Sequence, residues 1–372
     1  MSAKRVVITA GGTGGHLYPA QAFAQELKRR RHDLVICFAA AGLGSTRHFD
    51  RETFCFKEIT GAPLFSRNPL KVLRGVASVW RGLRESILFL KNYRPEIVVG
   101  FGSYYTVPVL LAARWLKIPI VLHEANSIPG RANKWLAPLA MRVGVHFPST
   151  AAFFGEKGVE VGLPLRDGYQ LKRIAKEAAM AHYGFSKEKR TLLICGGSQG
   201  ARAINALMVD EALTALKHLS LQVIHLTGEE RSAAALQARY EALSIPARVK
   251  AFETDMQMAW RAADLFIGRS GASTIAEAVE FEVPGLLIPY PHATDQHQEK
   301  NADFLVDTVK SARKCSERSL TPLRLSQVLT TFCQEAQLAA YTTAVREYKQ
   351  CANRLTLGSL VLDILFRGCC HE

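Results

Sequence analysis

Two glycine-rich turns carry the clearest chemistry in this chain. Residues 9–16 read Thr-Ala-Gly-Gly-Thr-Gly-Gly-His directly after the apolar run Val6-Val7-Ile8. The same grammar returns at Gly196-Gly197-Ser198-Gln199-Gly200 after Leu192-Leu193-Ile194-Cys195. Glycine lets a backbone approach a ligand closely, and the N–H groups and dipole of a following helix favour negative charge. Each turn therefore suits a phosphate at the carboxyl end of a parallel strand. One such loop is weak evidence. Two loops, each opening its own strand/helix half, point to two nucleotide-binding-type domains facing a cleft.

A third polar stretch is Arg269-Ser270-Gly271-Ala272-Ser273-Thr274-Ile275-Ala276-Glu277, after the apolar run 265–268. Its hydroxyls and backbone N–H groups at a helix start fit a diphosphate, and Glu277, about one turn in, could accept from both hydroxyls of a ribose. A capping carboxylate would look the same. Downstream, residues 289–298 (Pro-Tyr-Pro-His-Ala-Thr-Asp-Gln-His-Gln) form a polar loop whose amides could bind sugar hydroxyls, and whose histidines could equally be surface residues.

Several chemistries are excluded. The first loop gives Gly12-x-Gly14-x-x-Leu17, without the third glycine of a dinucleotide fingerprint, and the second strand ends in Phe38-Ala39-Ala40-Ala41, without the acidic residue for an adenosine ribose. Neither loop continues into Gly-Lys-Ser/Thr. No Asp-x-Asp occurs, so no carboxylate pair of the kind that holds a metal–diphosphate complex is present, and no metal or cofactor is expected. Arg166 is the most interesting cation, although it could simply tie two domains together.

The elements that must position these loops follow from the apolar pattern. In the first half, strands are expected at 6–9, 34–38, 97–99 and 118–122, with helices at 16–30, 70–93 and 107–115. The third strand ends in Gly100-Phe101-Gly102-Ser103-Tyr104 and the fourth in His123-Glu124-Ala125-Asn126. The second half restarts at Leu192, with strands at 222–226, 249–252, 265–268 and 285–289. Continuous aliphatic strands alternating with helices imply α/β domains with parallel sheets covered on both faces. The expected division is 1–162 and 163–350, with a linker at 161–166. An apolar helix at 355–366, within a C-terminal segment of about 351–372, is expected to pack back on the first domain.

At 372 residues the chain suits two cores, and 48% hydrophobic with 22% charged residues fits a soluble globular protein. The N-terminal apolar run is too short for a signal peptide, and no apolar run reaches the roughly 18–20 residues that span a bilayer. Eight cysteines without CxxC or zinc spacing read as reduced thiols. Cys369-Cys370 could be acylated or bind metal, but a frayed tail is the simpler reading. The net charge of +14 is unevenly spread: residues 1–162 hold 22 Lys+Arg against 10 Asp+Glu. Nucleic acid, an anionic membrane or a phosphorylated substrate would each explain that excess, and no nucleic-acid-binding motif is present.

The glycine loops, the 100–104 loop, His123-Glu124-Ala125-Asn126, the 269–277 segment and the 295–298 loop occur in the same order as in the MurG family, which this chain resembles from residue 5 to about 310. The resemblance implies a GT-B fold of two Rossmann-like domains around a central cleft, and an inverting, metal-independent N-acetylglucosaminyltransferase of peptidoglycan synthesis. Such an enzyme moves GlcNAc from UDP-GlcNAc to the 4-hydroxyl of MurNAc in undecaprenyl-linked lipid I, giving lipid II. By position, it implies Thr13, Gly14, Gly15, Asn126, Arg166, Ser198 and Gln298 at the donor site. Glu277 would bind the uridine ribose, with Ala272, Ser273, Thr274, Ile275 and Ala276 on the phosphate and uracil side. Gly14, Gly15, Gly102 and Ser103 would cradle the acceptor diphosphate. His16 is the first candidate for the base that deprotonates the acceptor, with Glu124 second; capping the helix or orienting a phosphate is the alternative for His16.

Three departures stand out: Ser103 for a usual glycine, narrowing the acceptor cradle; Ala125 for a common glutamine; and Leu163 for a usual asparagine. The expected partners are UDP-GlcNAc, lipid I, an anionic membrane surface and a cell-wall synthesis complex, at the cytoplasmic face of the membrane. Leu64, Phe65, Leu73 and Trp80, among the basic residues of 67–94, are expected to dip into the interface, with ordinary packing as the alternative. A UDP-GlcNAc 2-epimerase and a non-catalytic glycan-binding module are the rival readings.

Overall fold

The computed structural model describes residues 3–61, 69–197, 202–352 and 355–367; at 69–74, 76 and 367 it describes only the backbone. Two compact units result, one reaching Asp167 and taking in the C-terminal segment from 354, the other spanning Gly168–Asn353.

In the first unit, β1 (Arg5–Thr9), β2 (Val35–Ala40), β3 (Phe56–Glu58), β4 (Ile97–Gly100), β5 (Ile120–Glu124), β6 (Arg142–Val145) and β7 (Gly158–Glu160) form one parallel sheet in the order β3-β2-β1-β4-β5-β6-β7. Alternate side chains of these aliphatic strands go to opposite faces. Val6, Ile8, Ile97 and Val99 join one buried cluster with Leu17, Phe23 and Leu27 of α1 (Gly14–Arg30). Val7, Val98 and Leu122 join another, where α3 (Val107–Trp115) packs and α2 (Pro69–Tyr93) contributes Leu90. The first face is completed by a C-terminal helix, Leu357–Arg367, whose Leu357, Leu360, Val361 and Leu365 are buried in the same cluster. Its start is pinned by a parallel bridge from Thr356 to Gly162 and by the Thr356 hydroxyl donating to Glu26 at 2.6 Å.

The boundary falls after Asp167, because the linker's end is held by the first unit. The Arg166 guanidinium lies 4.8 Å from the Tyr18 ring centre, and Asp167 pairs with Arg29.

In the second unit, β8 (Thr191–Cys195), β9 (Gln222–Leu226), β10 (Ala247–Lys250), β11 (Leu265–Gly268), β12 (Gly285–Leu287) and β13 (Ala312–Lys314) form a parallel sheet in the order β10-β9-β8-β11-β12-β13. Leu192, Ile194, Val223, Leu265 and Ile267 build its main core. Phe266 packs edge-on against Trp260, their ring centres 5.1 Å apart.

The structure differs from the sequence expectation mainly at sheet edges. Strand β10 begins and ends two positions before the expected 249–252, and Phe252 lies beyond it, 56% exposed. Strands β3, β6, β7 and β13 were not expected; they are only three or four residues long and carry Lys57, Glu58, Arg142, Glu160, Arg313 or Lys314. Of the cysteines, Cys37, Cys195 and Cys333 are buried and Cys55 and Cys351 are exposed; Cys369 and Cys370 lie outside the described residues.

Candidate functional site

In the first unit the chain leaves β1 through Gly11 and Gly12, and Gly12 has φ +89°, a left-handed conformation that suits glycine. Thr13 takes the N-cap position of α1, but its side chain makes no capping bond; its carbonyl accepts from the backbone N–H of His16 at 3.1 Å and of Leu17 at 3.2 Å. The first turn of α1 carries no acidic residue, while its last turn carries Lys28, Arg29 and Arg30. Basic residues thus complement the helix's negative end, and its own first turn places no carboxylate at the positive one. Gly14 and Gly15 open this helix and His16 follows, half-buried.

The loop after β4 comes close to this turn. Gly102 and Ser103 both have positive φ, +77° and +75°. A Cβ on Gly102 would stand 3.4 Å from the His16 ring and 3.4 Å from the Asn133 amide, so the structure brings His16, Gly102 and Asn133 together. The Ser103 hydroxyl accepts from the Tyr105 N–H at 3.4 Å and would be 3.4 Å from a Cβ on Gly12. The serine hydroxyl is therefore folded inward between the two loops. Ser103 sits where glycine is favoured, a backbone cost on the order of 1 kcal/mol.

Glu124 ends β5 and is only 3% exposed. One carboxylate oxygen accepts from the Asn126 N–H at 2.9 Å and, at 3.4 Å, from its side-chain amide. The other accepts from the Gly130 N–H at 2.9 Å and from Asn133 Nδ2 at 2.8 Å. These four donors make Glu124 the clamp of the 124–133 loop, and they compete with any substrate proton. Neighbouring His123 is buried; burial first, and His16 second, pull its pKa down to about 3. His123 Nε2, Asn133 Oδ1 and Thr9 Oγ1 are buried without a hydrogen-bond partner among the described residues.

In the second unit, β8 runs into Gly196 and Gly197, the latter at φ +83°; Ser198 lies outside the described residues. A helix, Ala272–Phe281, starts after β11 with Gly271 at its N-cap and no acidic residue in its first turn. Ser273 and Thr274 are half-buried at this start. Ile275 and Ala276 are buried, and the Ile275 N–H bonds to the Gly271 carbonyl at 3.0 Å. Glu277 is half-buried and accepts from the Trp260 indole N–H at 2.7 Å.

Gln298 Oε1 accepts from the Tyr290 N–H at 3.0 Å, and the Gln298 carbonyl accepts from the Ser270 hydroxyl at 2.7 Å. The 270 and 298 segments are thus tied together, with the Gln298 amide nitrogen left to donate. Arg269 is a structural tie as well: it donates to the carbonyls of Ile288 and Pro289 and pairs with Glu317.

Sequence reasoning missed Trp260 and Asn133. Trp260 lies 17 residues before Glu277 on the helix Met256–Ala262, and only the packing reveals its bond. Asn133 carries a faint signal, being a side-chain amide in an otherwise apolar and basic stretch. Among the described residues no group of His, Cys, Asp or Glu could hold a metal ion.

Residues 6–145 match the glycosyltransferase family 28 N-terminal domain, and residues 191–355 match its C-terminal domain. A Protochlamydia amoebophila protein is 54% identical over 97% of this chain and 96% of its own length; it is described as UDP-N-acetylglucosamine–N-acetylmuramyl-(pentapeptide) pyrophosphoryl-undecaprenol N-acetylglucosamine transferase. A Halothermothrix orenii protein with the same description is 35% identical over 81% of this chain and 83% of its own. Among solved structures, MurG of Acinetobacter baumannii superposes with a TM-score of 0.75 at 28% identity, covering 98% of this chain and 99% of the other.

Proposed function

Because the chain belongs to the MurG family within glycosyltransferase family 28, we propose that it transfers GlcNAc from UDP-GlcNAc to the MurNAc 4-hydroxyl of lipid I, forming lipid II. The observation that carries this reading is the 54% identity to a transferase so described, over 97% of this chain and 96% of the other. The relatives named above are transferases, which leaves the 2-epimerase reading without support.

In this reading the acceptor belongs to the first unit. Its diphosphate is assigned to the N–H groups of Gly14 and Gly15 and to the Gly102-Ser103 turn. His16 takes the proton from the 4-hydroxyl as that oxygen bonds to the anomeric carbon. The bond from that carbon to the diphosphate breaks on the opposite face, which inverts the configuration, and UDP departs with the electron pair. Proton removal by a positioned imidazole is worth about 10²–10⁴-fold. Glu124 is the weaker base, because its oxygens already accept from backbone and amide donors.

The donor is assigned mainly to the second unit. The start of the helix Ala272–Phe281, with the Ser273 and Thr274 hydroxyls, stabilises the charge that develops on the leaving diphosphate. Glu277, held by Trp260, accepts from the ribose hydroxyls, and Gln298 donates to the sugar. Ser198 belongs to this set by its place in the second glycine loop. Thr13, Asn126 and Arg166 remain proposed donor contacts of the first unit.

We further propose peripheral attachment to an anionic membrane at its cytoplasmic face, alongside other cell-wall enzymes. Trp80 on α2 is 64% exposed and Trp115 at the end of α3 is 75% exposed, in the half that carries the basic excess. No helix among the described residues is long and apolar enough to cross a membrane. Leu64 and Phe65, and the side chain of Leu73, lie outside the described residues.

The deciding experiment incubates the protein with UDP-GlcNAc, with and without a short-chain lipid I analogue. UDP release and a GlcNAc-extended product only with acceptor are expected. Formation of ManNAc, or no turnover at all, overturns the assignment.

A further inference from the structure

A cavity of about 730 Å³ opens at the carboxyl ends of β1, β2 and β3, and no step above uses it. Its near wall is Gly11 and Gly12, the same glycine turn that is assigned to the acceptor diphosphate. Its far walls are the 41–46 loop, the 57–61 segment, Glu85 and Tyr105. In parallel α/β domains, the carboxyl ends of the strands beside a phosphate turn hold what the phosphate is attached to.

The walls are fixed by hydrogen bonds. Glu58 accepts from the N–H groups of Gly42 and, at 2.9 Å, of Gly44, which braces the 41–46 loop. Glu85 accepts from the Thr60 N–H at 2.8 Å, the Thr60 hydroxyl at 2.9 Å and Arg81 at 3.0 Å. Burial pushes the Glu85 carboxyl up, but its bonds to the Thr60 N–H and hydroxyl and to Arg81 hold it below the ordinary carboxylate range. Both carboxylates are therefore spoken for. Lys57, which also lines the cavity, has no ion-pair partner among the described residues.

Among the described residues the lining thus offers Lys57 as a cation without an ion-pair partner, the hydroxyls of Ser45 and Thr46, and the backbone of the glycine segments. The lining is mixed, since Leu17, Ala41, Leu43 and Ile59 join these polar groups, and a polyprenyl chain would have to strip water from the latter. The cavity suits amides and a carboxylate, and its volume is that of a small-molecule site rather than of a diphosphate alone.

We infer that this cavity is the subsite for the acceptor's peptide stem, with Lys57 pairing with a stem carboxylate. The inference rests on the lipid I transferase reading. The stem hangs from the same sugar whose 4-hydroxyl reacts, so a bound stem fixes that hydroxyl and lowers KM for acceptor.

The test compares two short-chain diphosphate-linked MurNAc acceptors, one with the pentapeptide and one whose lactyl group is capped as a simple amide. Proteins assayed are the wild type, Lys57→Glu and Ser45→Trp, the last to fill the cavity from its exposed rim. The wild type should prefer the pentapeptide acceptor by about tenfold or more in kcat/KM, as one partly exposed charge-assisted contact plus peptide contacts would give. Both variants should lose most of that preference through a higher KM for the pentapeptide acceptor. Equal use of the two acceptors by the wild type, or a preference intact in both variants, overturns the subsite. Calorimetric titration of the pentapeptide acceptor without donor separates the two readings. If no protein transfers sugar but Lys57→Glu binds this acceptor about tenfold more weakly than wild type, the subsite stands and the transferase reading falls.

Discussion

The two candidate bases read from the sequence, His16 first and Glu124 second, end in different environments. Glu124 is buried beneath four donors, whereas His16 stands half-buried at the helix start facing the Gly102 turn. His16→Ala should lower kcat by about 10²–10⁴-fold with UDP binding intact, and should flatten the acidic limb of the rate profile. Glu124→Gln should instead lower thermal stability by about 1–3 kcal/mol, since its new NH₂ meets the donors of Gly130 and Asn133. If the acidic limb survives in His16→Ala and vanishes in Glu124→Gln, the roles are reversed. Glu277 poses the same question between capping and binding. Its contact with the Trp260 indole shows that one oxygen is held at 2.7 Å by a buried ring. Glu277→Gln should weaken UDP binding about ten- to a hundredfold, measured by calorimetry, and an unchanged Kd would make it a structural carboxylate that holds Trp260. The motif residues were legible because glycine, histidine and carboxylates at strand ends are conspicuous in sequence. Trp260 and Asn133 were not, because a hydrogen bond across 17 or 9 residues depends on packing that no local pattern encodes.

At the scale of elements, legibility followed burial. Strands β1, β4, β8, β9 and β11 are buried throughout or nearly so, and their aliphatic runs announced them. The missed strands are short and carry charge, because an edge position or a brief central one tolerates Lys57, Arg142 or Arg313 without burying it. The ligand loops share one construction, a buried strand, a glycine turn and a helix whose first turn lacks an acidic residue, at α1 and at Ala272–Phe281. Helix N–H groups and hydroxyls can then serve a diphosphate in place of a cation. Activity should accordingly survive a strong chelator within about twofold, as the charge stabilisation comes from the protein's own dipoles. A loss of tenfold or more that magnesium or manganese restores would mean that a metal shares the phosphate chemistry.

At the scale of the molecule, the charge is as informative as the fold. The first 162 residues carry 22 basic and 10 acidic side chains, while the remainder is nearly balanced at 25 and 23. A substrate diphosphate needs only a few cations, so the surplus points to an extended anionic surface. Two of the three exposed indoles in that half, Trp80 and Trp115 (the third is Trp135), stand in solvent although α2 and α3 bury other apolar residues such as Leu90, Val109 and Leu110. Core packing therefore accounts for those helices without using the two rings. Tryptophan favours the headgroup level of a bilayer, where its ring is buried and its N–H stays hydrated. Replacing Trp80 and Trp115 together with serine should weaken binding to vesicles rich in anionic lipid by at least about tenfold, judged from the apolar area withdrawn. The melting temperature and UDP affinity should stay near wild type, because neither ring is packed in a core. Raising the salt from low to roughly 0.5 M should weaken wild-type vesicle binding in part, through screening of the basic residues, and should release the double variant almost completely. Sedimentation with vesicles reads both effects, and equal pelleting of variant and wild type at every salt concentration would remove the two indoles from the membrane contact.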